Sequence, residues 1–299
     1  MYLDFFGLTS PPFRLTPHPD FFFAGATRGD ILHALEYALG QGDGLIKVVA
    51  DVGAGKTMLC RVLLERMPVH MDSVLIANPA LTADELLQTL ADELEVSLEG
   101  GRPMARVRRL ELALIERFAA GRQVVILVDE AHAMPDESLE AIRLLSNLDH
   151  GHSKLLQIVL FGQTELDVRL AQSHLRQLRE RIVHSFSLPP LSPLDVGRYL
   201  ECRLAAAGLS RTGVFHPAAV AALARGAEGL SRRINILADK SMLAAFVAGS
   251  PCVDVSHVHL ALHDAGYARG EGFFHRYRAF IGAGIVFAVL GSLLLSYLH

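Results

Sequence analysis

The chain has 299 residues and a formal net charge of −4, with 51% hydrophobic and 20% charged residues. That balance excludes an intrinsically disordered chain, and it gives no bulk attraction for nucleic acid, so DNA or RNA is not an expected partner without a local basic patch. The three cysteines, Cys60, Cys202 and Cys252, stand far apart and fit no metal spacing or disulfide framework, which points to a reducing compartment.

The first residues, Met1-Tyr2-Leu3-Asp4, show no basic stretch followed by an apolar run, so no signal peptide is expected. Residues 1–26 are rich in Phe, Pro and Gly and yield no clear element. Asp30 to Leu39 has helical periodicity and ends at Gly40 and the turn Gly42-Asp43-Gly44. Leu45 to Ala50 is a short apolar strand, followed by a Gly-rich turn and a helix to about Met67. Ser73 to Ala77 predicts a second strand, and helices follow near 82–96 and 103–120. Gln123 to Val128 is a continuous apolar strand, and 136–148 a helix. Leu155 to Phe161 is another strand, 174–182 a helix, and 183–188 a weaker strand. Apolar strands alternating with helices specify an α/β fold with a parallel sheet covered on both faces. The prolines at 189, 190 and 193 mark a boundary, after which the pattern is helical only, over 193–207, 217–226, 231–248 and 256–264.

The turn after the first strand reads Ala50-Asp51-Val52-Gly53-Ala54-Gly55-Lys56-Thr57. It fits the P-loop pattern at every specified position except the first, where Ala50 replaces Gly. Backbone N–H groups from Gly53 through Met58 would cradle phosphate, and the two glycines let the backbone approach it closely. Lys56 would reach the terminal phosphates of ATP, and the Thr57 hydroxyl would coordinate Mg2+. The strand ending in Asp129-Glu130 supplies two carboxylates: Asp129 for the Mg2+ shell, Glu130 as general base for the attacking water.

Gln163 ends the next strand, beside the expected γ-phosphate, and is a candidate to sense it and position water. Within Leu175 to Ile182, Arg179 and Arg181 are candidates for an arginine finger reaching a neighbour's nucleotide; the alternative is a solvated, salt-bridged face. Arg232, just inside a later helix, is favoured over Arg233 to touch the γ-phosphate. The cluster Arg102, Arg106, Arg108 and Arg109 reads as the polar face of an amphipathic helix. Asp129-Glu-Ala-His132 copies an RNA-helicase box, but no other helicase motif accompanies it. No histidine stands in a metal-binding pattern.

Ala279 to Leu298 is twenty residues without a charge, about 30 Å as a helix, enough to cross a bilayer core. Arg276 and Arg278 precede it, so the preceding domains are expected in the cytoplasm. The chain thus divides into an α/β nucleotide-binding domain over 1–190, a small helical domain over 191–268 and a tail-anchoring transmembrane helix over 279–298.

Several stretches together resemble AAA+ ATPases of the ExeA/GspA type, over about residues 1 to 265. They are Met1 to Leu8 with Pro12-Phe13, the P-loop region, 135–148, Leu155 to Gln163 with Glu165-Leu166, and Leu175 to Ile182. Within that family the pattern is most similar to the ATPases of MSHA-type pilus biogenesis. The resemblance implies an AAA+ P-loop fold with a helical lid, sensor-one at Gln163, sensor-two at Arg232, and homo-oligomeric ATPase work. It also implies a single-pass inner-membrane protein acting on pilus or type II secretion components. Family members in secretion pathways continue into a periplasmic wall-binding domain, so the chain's end at His299 favours the pilus branch as an expectation. The chain departs from the family at Ala50, Met58 and His132, changes that bear on turnover more than on binding. Two other classes compete: a DNA-associated AAA+ regulator of the transposition-helper kind, and an ATP-gated scaffold with negligible turnover.

Overall fold

The computed structural model describes residues 2–98, 103–151 and 153–267. The span expected over 279–298, with Arg276 and Arg278, lies outside the described residues, as does Arg102. Among the described residues no helix is long and apolar enough to cross a membrane.

Helix α1 (Tyr2–Phe6) and helix α2 (Arg28–Gln41) precede strand β1 (Leu45–Ala50). Then come α3 (Lys56–Glu65), β2 (Met71–Ile76), α4 (Ala83–Glu93), α5 (Pro103–Ala119), β3 (Gln123–Val128) and α6 (Asp136–Leu145). A small ribbon, β4 (Asp149–His150) with β5 (Ser153–Lys154), leads into β6 (Leu156–Gly162), α7 (Glu165–Leu170), α8 (Arg176–Arg179) and β7 (Ile182–Leu188). Four helices follow: α9 (Pro193–Ala206), α10 (Pro217–Ala227), α11 (Ser231–Val247) and α12 (Val255–Asp264).

The sheet runs β2-β3-β6-β1-β7, with every pairing parallel. Successive side chains of a strand point to opposite faces, and the core divides accordingly. Val124, Ile126 and Val128 pack with α4, α5 and α6, while Val125 and Leu127 pack with α2 and α3. This two-sided burial explains why β3 reads as an apolar run after Gln123, while β1 and β6 are interrupted once each, by Lys47, which pairs with Asp167, and by Gln157, whose amide donates to the Leu39 carbonyl. Local chemistry sets several boundaries. Thr82 and Glu85 close a reciprocal capping box on α4, and Ser192 caps α9 with Pro193 at its first turn.

Three expected helices are shorter than their sequence patterns: the one near 82–96 spans only Ala83–Glu93, and two others end early for local reasons. The 136–148 helix stops at Leu145, where the Ser146 hydroxyl donates to the Arg143 carbonyl at 2.7 Å and the chain turns toward the ribbon. The 174–182 helix is a 3-10 turn at Ser173–Leu175 plus the single turn of α8, because Ile182 already pairs with β1.

A second core lies among α9 to α12 and takes in Phe6, Leu8, Phe13, Phe21 and Phe23 from the N-terminal segment. The residues before α2 therefore strap the helical domain although they begin the chain. Arg203 of α9 is buried and holds the strap: its Nε donates to the Pro12 carbonyl at 2.6 Å and its Nη2 to the Arg14 carbonyl at 3.2 Å. The Arg203 guanidinium also lies 4.8 Å from the Phe21 ring centre, a cation–π contact.

Candidate nucleotide site

The carboxyl ends of β1, β6 and β3 stand side by side, and each delivers chemistry-bearing residues to one edge of the sheet. At the end of β1 the loop through Gly53 (φ +79°) and Gly55 (φ +113°) uses the left-handed backbone region that glycine enters without strain. Gly55 then opens α3, so Lys56 and Thr57 are its first residues. Lys56 is 4% exposed, and its Nζ donates to the carbonyls of Ala50 and Asp51 at 3.0 and 3.2 Å. Burial holds the Lys56 ammonium below its ordinary pKa, opposed by the charges of Glu130, Asp129 and Asp51. A phosphate arriving here would replace weak carbonyl partners with a strong anionic one.

Asp129 follows β3 directly and is buried. Its carboxylate accepts from the Thr57 hydroxyl and from the Glu130 N–H at 2.9 Å, while burial pushes its pKa up. A cation at this point would relieve that desolvation, and the Thr57–Asp129 pair offers the hard oxygens that Mg2+ prefers. Among the described residues no group of three or more His, Cys, Asp or Glu side chains could hold a metal.

Glu130 takes the left-handed conformation (φ +53°), uncommon for a residue with a side chain. The turn aims its carboxylate at β6, where Gln163 Nε2 donates to Glu130 Oε2 at 3.0 Å. His132 Nδ1 lies 3.4 Å from the same oxygen and accepts from the Gln163 N–H at 3.4 Å. Arg169 of α7 braces this turn: its Nη1 donates to the carbonyls of His132 and Met134, each at 2.6 Å, and its Nη2 to Asp136.

The helical domain closes the other side. The Arg232 N–H donates to the Gly53 carbonyl at 3.0 Å, and the Ser231 hydroxyl to the Ala54 carbonyl at 3.2 Å. Arg232 lines the resulting cavity of about 290 Å³ together with Gly53, Gly55, Lys56, Thr57, Met58 and Glu130. Arg233 turns away to pair with Glu228 at 2.6 Å. Ala54 is fully buried beneath the loop. Arg179 and Arg181 are exposed and do not line this cavity; Arg181 sits with Asp43 and Leu45 at the amino end of β1, the opposite edge of the sheet.

Sequence reasoning missed other residues that line the cavity, among them Arg14, Phe21, Phe23, Arg28, Tyr199 and Asn235. Nothing periodic marks them, because they come from the strap, α2, α9 and α11 and meet only in the folded chain. Arg28 Nη2 donates to the Ala54 carbonyl at 3.0 Å, and burial lowers its pKa to about 10. Arg169 was missed for the same reason.

Residues 38–170 match the AAA domain family. The chain is 36% identical over 297 residues to general secretion pathway protein A of Aeromonas hydrophila, an alignment covering 99% of this chain and 53% of that protein. The chain thus spans about half the length of that curated relative. Among solved structures, the ORC2 protein of Aeropyrum pernix in ADPNP–ADP complexes superposes with a TM-score of 0.62 at 15% identity, covering 84% of this chain and 71% of that one. The RuvB Holliday junction branch migration motor of Thermotoga maritima gives 0.54 at 17%, covering 84% and 72%. At these identities the two structures establish the shared fold alone.

Proposed function

We propose that this chain, whose residues 38–170 match the AAA domain family and which is related to general secretion pathway protein A, binds ATP with Mg2+ and hydrolyses it at the inner membrane. The work supported would be assembly of a type IV, MSHA-like pilus or of a type II secretion machine. The observation that carries the enzymatic part is the convergence of Lys56, the Thr57–Asp129 pair and the Glu130–Gln163 pair on three adjacent strand ends. In this reading the phosphate loop and Lys56 bind and orient the triphosphate. Thr57 and Asp129 would hold the metal. Glu130 takes the proton of the attacking water, and Gln163 keeps that carboxylate and the water aligned. When bound, Mg–ATP would supply the phosphoanhydride and a cation that neutralises the charge of its phosphates. Arg232 reaches the γ-phosphate from the helical domain, which then acts as a lid. Arg179 or Arg181, exposed at the opposite edge, serves a neighbouring protomer in a homo-oligomer.

The membrane part rests on the uncharged stretch 279–298 and the two arginines before it. A chain ending at Arg276 should leave the membrane fraction after a high-salt wash, with residues 1–275 facing the cytoplasm. The biological test compares surface pili and outer-membrane secretin in a gene deletion complemented with wild type or Lys56→Ala. Wild type should restore both and Lys56→Ala neither, although the variant still reaches the membrane. Unchanged pili and secretin in the deletion would remove the assembly role.

A scaffold with negligible turnover is the second reading, favoured by one observation: one oxygen of the Glu130 carboxylate already accepts a hydrogen bond from Gln163. Steady-state phosphate release separates the two, since a scaffold would bind ATP in a Lys56-dependent way and release none.

A further inference from the structure

His132 lies in the 3-10 turn Ala131–Ala133 that follows Glu130, packed against β6 and α7. Its backbone is fixed, since the His132 carbonyl accepts from Arg169 Nη1. The side chain is only 17% exposed, and one ring nitrogen meets both halves of the Glu130–Gln163 pair. His132 Nδ1 stands 3.4 Å from the main-chain nitrogen of Gln163 and 3.4 Å from Glu130 Oε2. The Gln163 N–H lies just past the last ladder pairs of β6, Leu160 with Val128 and Gly162 with Val49, and His132 Nδ1 is its acceptor.

The two contacts demand opposite states of the same atom. An N–H can only donate, so Nδ1 must present a lone pair to accept from Gln163. In that state it offers the carboxylate nothing, and the Gln163 amide holds Glu130 Oε2 at 3.0 Å. A proton on Nδ1 reverses the arrangement. The imidazolium then donates to Glu130 Oε2, and the Gln163 N–H loses its acceptor. A carboxylate beside a cation is a weaker base, and Gln163 is no longer held by its main chain. The other charged groups around the ring are Arg169 of α7, Asp136 of α6 bonded to that arginine, and Asp129 and Glu165, which act with Glu130 on Lys56.

We propose that His132 is a positioning residue: its unprotonated Nδ1 keeps Gln163 aligned with Glu130, and its protonation turns catalysis down. A histidine changes charge between about pH 5 and 8, so turnover falls as the medium acidifies. The proposal rests on the ATP-hydrolysis reading and adds an acid-sensitive element to the same site.

The test measures steady-state phosphate release from Mg–ATP by full-length wild type, His132→Asn and His132→Leu between about pH 5.5 and 8, with ATP affinity and Tm recorded alongside. Asparagine presents an amide oxygen close to the place of Nδ1 and keeps it an acceptor at every pH. Leucine keeps the bulk and offers no acceptor. At about pH 8 the kcat of His132→Asn should stay within about threefold of wild type, and that of His132→Leu should fall about 10-fold, the effect of one hydrogen bond. KM should be unchanged in both. Toward about pH 5.5 the wild type should approach the leucine variant while the asparagine variant keeps the higher rate. Protonation of Glu130 or Asp129 is common to all three proteins, so the ratio of their rates isolates His132. Parallel pH profiles of wild type and His132→Asn overturn the proposal and leave the ATPase reading standing. Wild-type turnover in His132→Leu does the same. Where His132→Leu fails to fold, the ratio of wild type to asparagine variant decides. A wild type that releases no phosphate at any pH removes the ATPase reading and the proposal together.

Discussion

Gln163 and Glu130 are joined across the ends of β6 and β3 by a 3.0 Å hydrogen bond from the glutamine amide to the glutamate carboxylate. The bond places the proposed base and the proposed sensor in one unit, with His132 3.4 Å from the same oxygen. A carboxylate held this way is oriented, and with the Glu130 side chain 40% exposed it stays open to water. Glu130→Gln should therefore keep ATP affinity within about twofold and lower turnover by about 100-fold or more, the usual range for a lost general base. Gln163→Ala should lower kcat with a similar sparing of affinity. Wild-type turnover in Glu130→Gln would strip Glu130 of its role.

A finger supplied by a neighbour makes turnover depend on assembly. Specific activity should rise with protein concentration, and Arg179→Ala or Arg181→Ala should cut turnover by about 10³-fold with ATP affinity unchanged. Mixing one of these variants with Lys56→Ala protein should restore part of the activity, since each supplies what the other lacks. No restoration, together with concentration-independent turnover, would confine both arginines to surface roles.

Gly53 is where the phosphate loop meets the helical domain. Its φ is +79°, and a Cβ there would stand 3.0 Å from Arg232 Cβ. Gly53→Ala combines backbone strain of about 1–2 kcal/mol with displacement of the N–H that Arg232 donates to the Gly53 carbonyl. The expected result is a Tm lowered by a few degrees and weakened ATP binding. A variant with wild-type Tm and affinity would show that this contact is not needed.

Asp72, on edge strand β2, accepts from Arg122 Nε at 3.0 Å and from Arg117 Nη1 at 3.2 Å. The Arg122 hydrogen bonds hold its carboxyl below the usual aspartate pKa, more than offsetting the effect of burial. A depressed pKa in the folded chain means stabilisation that is present above the unfolded value, near 3.9, and lost as pH falls through the folded value. Asp72→Asn should lower Tm at pH 7 by about 2–4 °C, and the gap should close below about pH 4. High salt should narrow it as well, because Arg122 is well exposed. A pH-independent difference would assign the loss to packing instead.

The sequence by itself determined the parts whose information is local. Strands β1 and β3 are legible to the residue, because burial on both faces demands a run that is apolar apart from Lys47 in β1 and Gln123 at the start of β3. The turn after β1 is legible because Gly53 and Gly55 mark a tight backbone reversal between an apolar strand and a helix opening at Lys56 and Thr57. Asp129, Glu130 and Gln163 are legible as polar residues stopping apolar strands. Only the tertiary structure decided the rest. The strand order places β6 between β3 and β1, and with it Gln163 against Glu130. The strap's phenylalanines carry no period of their own; their partners lie on α9 to α12, far along the chain. Arg28 opens α2 like any polar residue at a helix start, and nothing near it in sequence foretells its bond to Ala54 or its place beside Tyr199. A pattern along the chain records which face is buried and where the backbone must turn. Which distant group completes a hydrogen bond depends on how the layers pack, and that is settled only when the two cores close around one cavity.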